Sequence, residues 1–104
     1  PDGRSRPVAE GVLRARYRDS MIDPQVMEPG KIYQFGVALG STSNVFLAGH
    51  RIRVTVTSSC FPRWDRNLNT GGPFGMEAEG MPAVNSIFRD RFRPSHVSLP
   101  VRAQ

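Results

Sequence analysis

The chain has 104 residues, 38% of them hydrophobic and 22% charged, with a formal net charge of +5. That length suits a single domain spanning 1–104, with one modest core burying roughly 60–70% of the surface its unfolded form exposes. The composition excludes a disordered polar chain, and no apolar run approaches the ~18 residues of a membrane span.

Strict apolar–polar alternation predicts an all-β chain. The first strand is Gly11-Val12-Leu13-Arg14-Ala15-Arg16-Tyr17-Arg18, with Leu13, Ala15 and Tyr17 on one face and the three arginines on the other. Glu28-Pro29-Gly30 follows as a type II turn, because proline fixes φ and glycine accepts φ > 0. It opens the second strand, Lys31 to Leu39, where Tyr33, Phe35, Val37 and Leu39 share a face. A weaker strand, Asn44 to Leu47, leads through Ala48-Gly49-His50 into the third, Arg51 to Ser58. There Ile52, Val54 and Val56 point inward, and β-branched residues reinforce the pattern.

From Phe61 to Pro82 the alternation lapses into a long loop. Phe61, Trp64 and Phe74 within it predict packing, since loops of this length are commonly functional or interface-forming. Weaker strands at Ala83–Phe88 and Ser95–Leu99 close the chain. Pro62, Pro73, Pro82, Pro94 and Pro100 preclude a long helix.

The residues that could carry chemistry are few. Cys60 is the only cysteine, which excludes an intrachain disulfide and a metal site built on clustered cysteines. It fits a reducing, cytoplasmic compartment. His50 and His96 have no neighbouring acid or cysteine to make them a base or a metal site. No Gly-x-Ser-x-Gly nucleophile elbow occurs; the nearest segment, Gly40-Ser41-Thr42-Ser43-Asn44, ends in asparagine. The expectation is no catalytic residue, no cofactor and no metal. The opening Pro1-Asp2-Gly3-Arg4 lacks an initiator methionine and an apolar segment, so it reads as the start of a piece cut from something longer rather than as a signal peptide.

The net positive charge is almost all arginine, since Lys31 is the only lysine. Arg14, Arg16 and Arg18, with Arg51 and Arg53, could line a phosphate-binding stripe. No aromatic accompanies them on that face, so neither nucleic acid nor membrane is expected as a partner. Arg63-Trp64-Asp65-Arg66-Asn67, with Phe61, is the candidate domain-interface or binding loop, because Trp and Arg anchor such contacts. The alternative is a self-folded loop in which Asp65 caps backbone amides or pairs with Arg63 or Arg66. Asn67 to Gly72 reads as tight-turn chemistry, not a phosphate cradle.

An ordered set of motifs adds a resemblance. Gly11-Val12-Leu13-Arg14-Ala15-Arg16-Tyr17-Arg18, Pro29-Gly30-Lys31-Ile32-Tyr33, Gly49-His50-Arg51-Ile52-Arg53, Phe61-Pro62-Arg63-Trp64-Asp65-Arg66-Asn67, Asn69-Thr70-Gly71-Gly72 and Pro94-Ser95-His96-Val97-Ser98-Leu99-Pro100-Val101 occur in one succession. Together they resemble the C-terminal domain of X-Pro dipeptidyl-peptidase and cocaine-esterase-like serine hydrolases, a pattern shared with α-amino acid ester hydrolases and glutaryl-7-ACA acylases. Glu10, Cys60 and Trp64 depart from the residues usual at those places.

The resemblance implies a jelly-roll sandwich, similar to galactose-binding domains, of which this chain holds the later part. It also implies a parent with an α/β-hydrolase domain that carries the Ser-Asp-His triad, and a helical cap. On that reading the chain is a non-catalytic accessory domain whose partners are those two domains. Open sheet edges would also invite self-association. The competing reading is a free-standing carbohydrate-binding jelly roll with Trp64 as its stacking platform, since fold alone does not choose between functions.

Overall fold

A computed structural model describes residues 3–73 and 75–102. The chain divides into two compact units, Pro1–Thr55 and Val56–Gln104. The boundary falls within the segment expected to be the strongest strand. Phe74, expected to help pack the long loop, lies outside the described residues.

No named strand forms among the described residues. The regular elements are one 3₁₀ turn, Ala15–Tyr17, and one antiparallel bridge, Arg89 to Pro94. The expected ladders over Gly11–Arg18, Lys31–Leu39 and Arg51–Ser58 are therefore absent here, as are the weaker ones. The physical reason is that a strand is not stable alone. It needs a hydrogen-bonding neighbour at its edge and an apolar layer on its face, and even a two-stranded hairpin is marginal in water.

Burial tells the same story. No described residue is buried, and Ile52, Val54 and Val56 are 56%, 59% and 65% exposed. The chain exposes 10259 Å². A self-contained globule of its mass would expose about 5,800 Å² and its unfolded form about 16,700 Å². It thus buries only about 40% of its surface, against the 60–70% expected.

What holds each unit is local and mostly polar. In the first, the backbone leaves Arg14 extended (φ −79°, ψ 119°) and turns: Tyr17 N donates to Arg14 O at 2.8 Å. This turn replaces the expected strand and breaks up the expected arginine stripe. Arg18 becomes the lock. Its Nη1 donates to Ala15 O (3.1 Å) and Gln25 O (2.6 Å), its Nε pairs with Asp19 at 3.1 Å, and its guanidinium stacks over the Tyr33 ring at 4.6 Å. Its side chain is only 10% exposed. Gln25 N returns a bond to Arg16 O at 2.8 Å, so the segment between is closed as a loop.

The two glycine turns form as expected. Lys31 N donates to Glu28 O with Gly30 at φ 81°, and His50 N donates to Leu47 O with Gly49 at φ 83°. Both need the left-handed region at the third turn position, where a side chain would be strained. Lys31 adds an ion pair to Glu28 at 2.6 Å, and the Tyr33 hydroxyl accepts from Glu28 N at 3.0 Å. Gly11 has a different role: a Cβ there would run into the Ala38 carbonyl, so its lack of a side chain permits a close backbone approach.

The second unit ends in a hairpin centred on Asp90. Its Oδ1 accepts from Phe92 N (2.9 Å) and Arg93 N (3.0 Å), and its Oδ2 accepts from Arg93 Nε (2.9 Å) and Nη2 (2.8 Å). The Arg93 guanidinium also covers the Phe88 ring at 4.1 Å, and Ser95 N reaches Phe88 O. The Arg93 guanidinium, then the Phe92 amide, hold the Asp90 carboxyl below its ordinary pKa. A depressed carboxyl stabilises the turn above its unfolded value of about 3.9, and the effect is lost as pH falls through the lower folded value. Amide shifts of Phe92 and Arg93 should therefore stay constant from neutral pH down through the ordinary carboxylate range and move together only below it. Asp90→Asn should abolish that step. A step of the same midpoint in Asp90→Asn would assign it to another group.

Candidate interface loop

The loop after Cys60 folds on itself through short-range bonds. Trp64 N donates to Cys60 O at 3.1 Å across a turn that contains a cis Phe61–Pro62 peptide. The Arg66 guanidinium lies over the Phe61 ring at 4.6 Å, a cation–π contact. Phe61 and Trp64 remain exposed, Trp64 at 44%. Asp65 makes no hydrogen bond or ion pair with the described residues. The expected pairing of Asp65 with Arg63 or Arg66 is thus not the one found. Arg66 turns to an aromatic face, because a planar, weakly hydrated guanidinium stacks well.

Beyond Asn67 the loop is clasped. Asn67 Nδ2 donates to Asn69 Oδ1 (3.0 Å), and Asn69 N donates back to Asn67 Oδ1 (3.3 Å). Asn69 sits at φ 60°, a region asparagine tolerates better than most residues. There its Nδ2 reaches Met81 O at 2.8 Å, while Met81 N donates to Leu68 O at 2.8 Å. These two bonds tie the ends of the loop together. Inside it, the Thr70 hydroxyl donates to the Glu77 carboxylate and accepts from Gly72 N. A Cβ on Gly72 would meet that carboxylate at 2.6–2.8 Å, and one on Gly80 would meet Leu68 O at 3.0 Å. The Asn-Thr-Gly-Gly motif is therefore turn chemistry, as its composition suggests. The clasp to Met81 was not legible, because its partners are twelve residues apart.

The arrangement offers rings and cations for contact. Cys60 is exposed. His96 Nδ1 is engaged with Pro94 O at 2.9 Å. His50 occupies the turn after Gly49. Among the described residues no group of three His, Cys, Asp or Glu side chains is placed to hold a metal ion. Nor is any helix there long and apolar enough to cross a membrane.

Comparison with known proteins places the chain as a whole. The family model of the X-Pro dipeptidyl-peptidase C-terminal non-catalytic domain matches residues 1–98. Cocaine esterase of Rhodococcus sp. (strain MB1 Bresler) is 48% identical over 103 residues, which cover 97% of this chain and 18% of that protein. The chain therefore spans about a fifth of the length of this curated relative. No solved structure gives a significant match. In the parent enzymes of the family this domain is a β-sandwich, and it packs against the hydrolase domain.

Proposed function

The chain belongs to the X-Pro dipeptidyl-peptidase C-terminal non-catalytic domain family, and we propose that it acts by packing on an α/β-hydrolase domain and its cap and shaping their active site. In that role residues 1–104 are one portion, the later part, of a jelly-roll sandwich resembling galactose-binding domains. The Ser nucleophile and its triad belong to the hydrolase domain, and this chain supplies none of them. Phe61, Arg63, Trp64, Asp65, Arg66 and Asn67 form the loop that meets the parent enzyme. The partners are protein, with no cofactor, nucleic acid or membrane. The compartment is a reducing one, the cytoplasm, where the exposed Cys60 thiol remains reduced.

One observation carries this reading: no described residue is buried. The surplus over a self-contained globule is about 4,500 Å². A standard complex takes about 800 Å² from each partner, and large obligate ones bury 2,000–5,000 Å² in total. A surplus this large on one side is the size of a domain core cut open, not of a surface patch. The alternating stripes of Ile52, Val54 and Val56 and of Tyr33, Phe35, Val37 and Leu39 are half of such a core. Without their cover, the same stripes favour self-association.

The test has two arms. The isolated chain should not hydrolyse a p-nitrophenyl ester. Placed in the Rhodococcus cocaine esterase in place of its own matching segment, it should support a folded, active enzyme, because the two segments are 48% identical over 103 residues. Turnover by the isolated chain, or a chimera that neither folds nor hydrolyses ester, would contradict the proposal.

A further inference from the structure

We propose that the tip of the Arg89–Pro94 hairpin, Arg91 and Phe92, is a second docking anchor, and that it inserts into an apolar pocket rimmed by carboxylates on the parent hydrolase. The inference rests on the accessory-domain reading above, and adds a specific contact to it.

Apolar side chains are exposed in this chain for two different reasons. Along Arg51–Ser58 they are exposed because the backbone is unpaired and the facing layer is missing. Completing the sandwich covers them. Phe92 differs. Its hairpin already has its bonds: Asp90 accepts from Phe92 N, Arg93 N and the Arg93 Nε and Nη2, and its two ends meet at the Arg89–Pro94 bridge. The neighbouring ring, Phe88, is covered by Arg93. Phe92 nevertheless stays 82% exposed, with the Arg91 guanidinium 5.4 Å from its ring centre. Added strands cover the faces and edges of a sheet and leave the tip of a turn uncovered. A large ring held there by a hydrogen-bonded turn is placed to meet a neighbouring domain.

The chemistry of the pocket follows from the tip. A phenyl ring requires an apolar hollow. Arg89, Arg91 and Arg93 stand against the single Asp90 within this turn. Arg93 is committed to Asp90, so the excess positive charge resides on Arg89 and Arg91. The chain as a whole carries +5. Charge complementarity therefore calls for carboxylates around the hollow. Aromatic and arginine side chains held rigidly before binding are the usual energetic centres of interfaces, since little side-chain entropy is lost on docking.

The experiment uses the full-length chimera described above. Phe92→Ala and Arg91→Glu leave the Asp90 bonds intact. Each should lower the melting temperature by several degrees and raise deuterium exchange in the hydrolase segment that meets the tip. Arg91→Lys should retain most of the stability. The gap between wild type and Arg91→Glu should narrow in 1 M salt, where charges are screened beyond about 3 Å. Unchanged melting and exchange in both Phe92→Ala and Arg91→Glu would overturn the anchor while leaving the accessory role standing. A chimera that fails to fold before either change is made would overturn the accessory role itself.

Discussion

Ile52→Ala should destabilise the chimeric full-length hydrolase by about 2–5 kcal/mol, the usual cost of truncating a buried isoleucine. In the isolated chain the same change should cost less than about 0.5 kcal/mol, as for an exposed position. The contrast arises because Ile52 is 56% exposed when the chain is alone. Its transfer from water is realised only when a second layer covers the stripe it shares with Val54 and Val56. Denaturant titration measures the cost in the chimera; in the isolated chain, the signal against denaturant should overlay that of the unsubstituted chain. The isolated chain should also melt without a sharp transition and associate as its concentration rises, since its apolar stripe and unpaired backbone can serve another copy. Val54→Lys should suppress that association, because a charge on an exposed strand blocks edge pairing. Equal destabilisation by Ile52→Ala in both proteins would mean that the isolated chain already has a core at this position, and the proposed missing layer would be wrong.

Trp64→Ala should cost the chimera about 2 kcal/mol or more, the range of an interface centre, equivalent to a roughly 30-fold loss of docking affinity. Trp64 follows the turn closed by its own N–H on Cys60 O, beside the Arg66–Phe61 stack. None of those contacts uses the indole ring, so its removal should leave the loop's fold intact. The Asn69–Met81 clasp gives a control, because its amides should keep their exchange protection in Trp64→Ala. A loss of stability with the clasp preserved would place the effect at the interface. An unaffected chimera, together with oligosaccharide binding by the isolated chain that disappears in Trp64→Ala, would favour the carbohydrate-binding reading.

The two kinds of structural feature in this chain differ in how far apart their parts lie. The turns at Glu28–Lys31 and Leu47–His50 were legible because each is decided by one or two residues. Proline sets φ at Pro29, and Gly30 and Gly49 accept the positive φ that their turns require. The interface loop was legible as a cluster of Phe61, Trp64 and the arginines, but its internal pairing was not. On a self-folded loop Asp65 could cap backbone amides or pair with Arg63 or Arg66, yet the Arg66 guanidinium lies on Phe61. Both contacts suit an arginine, and only three-dimensional proximity selects between them.

The role of Arg18 was hidden for a similar reason. In strict alternation it belongs to an outward arginine face, with Arg14 and Arg16. The turn at Ala15–Tyr17 instead brings it over Tyr33, where it also holds the carbonyls of Ala15 and Gln25. Asp90 does not stand out in the sequence because its spacing to Arg93 carries no periodic signal, although an aspartate two and three residues before free amides is a known turn former.

Sequence alone determined the family, the turn positions and the lack of a nucleophile elbow, because these reside in short motifs and in the φ preferences of single residues. It also determined which faces are apolar. Tertiary structure alone decided that those faces stand uncovered, that Arg18 and Asp90 are the polar locks of their units, and that the Arg51–Ser58 stripe is not paired. Pairing a strand means bringing distant segments together at a cost in chain entropy. That cost is met only when an apolar layer closes over the whole sheet, and residues 3–73 and 75–102 by themselves do not provide one.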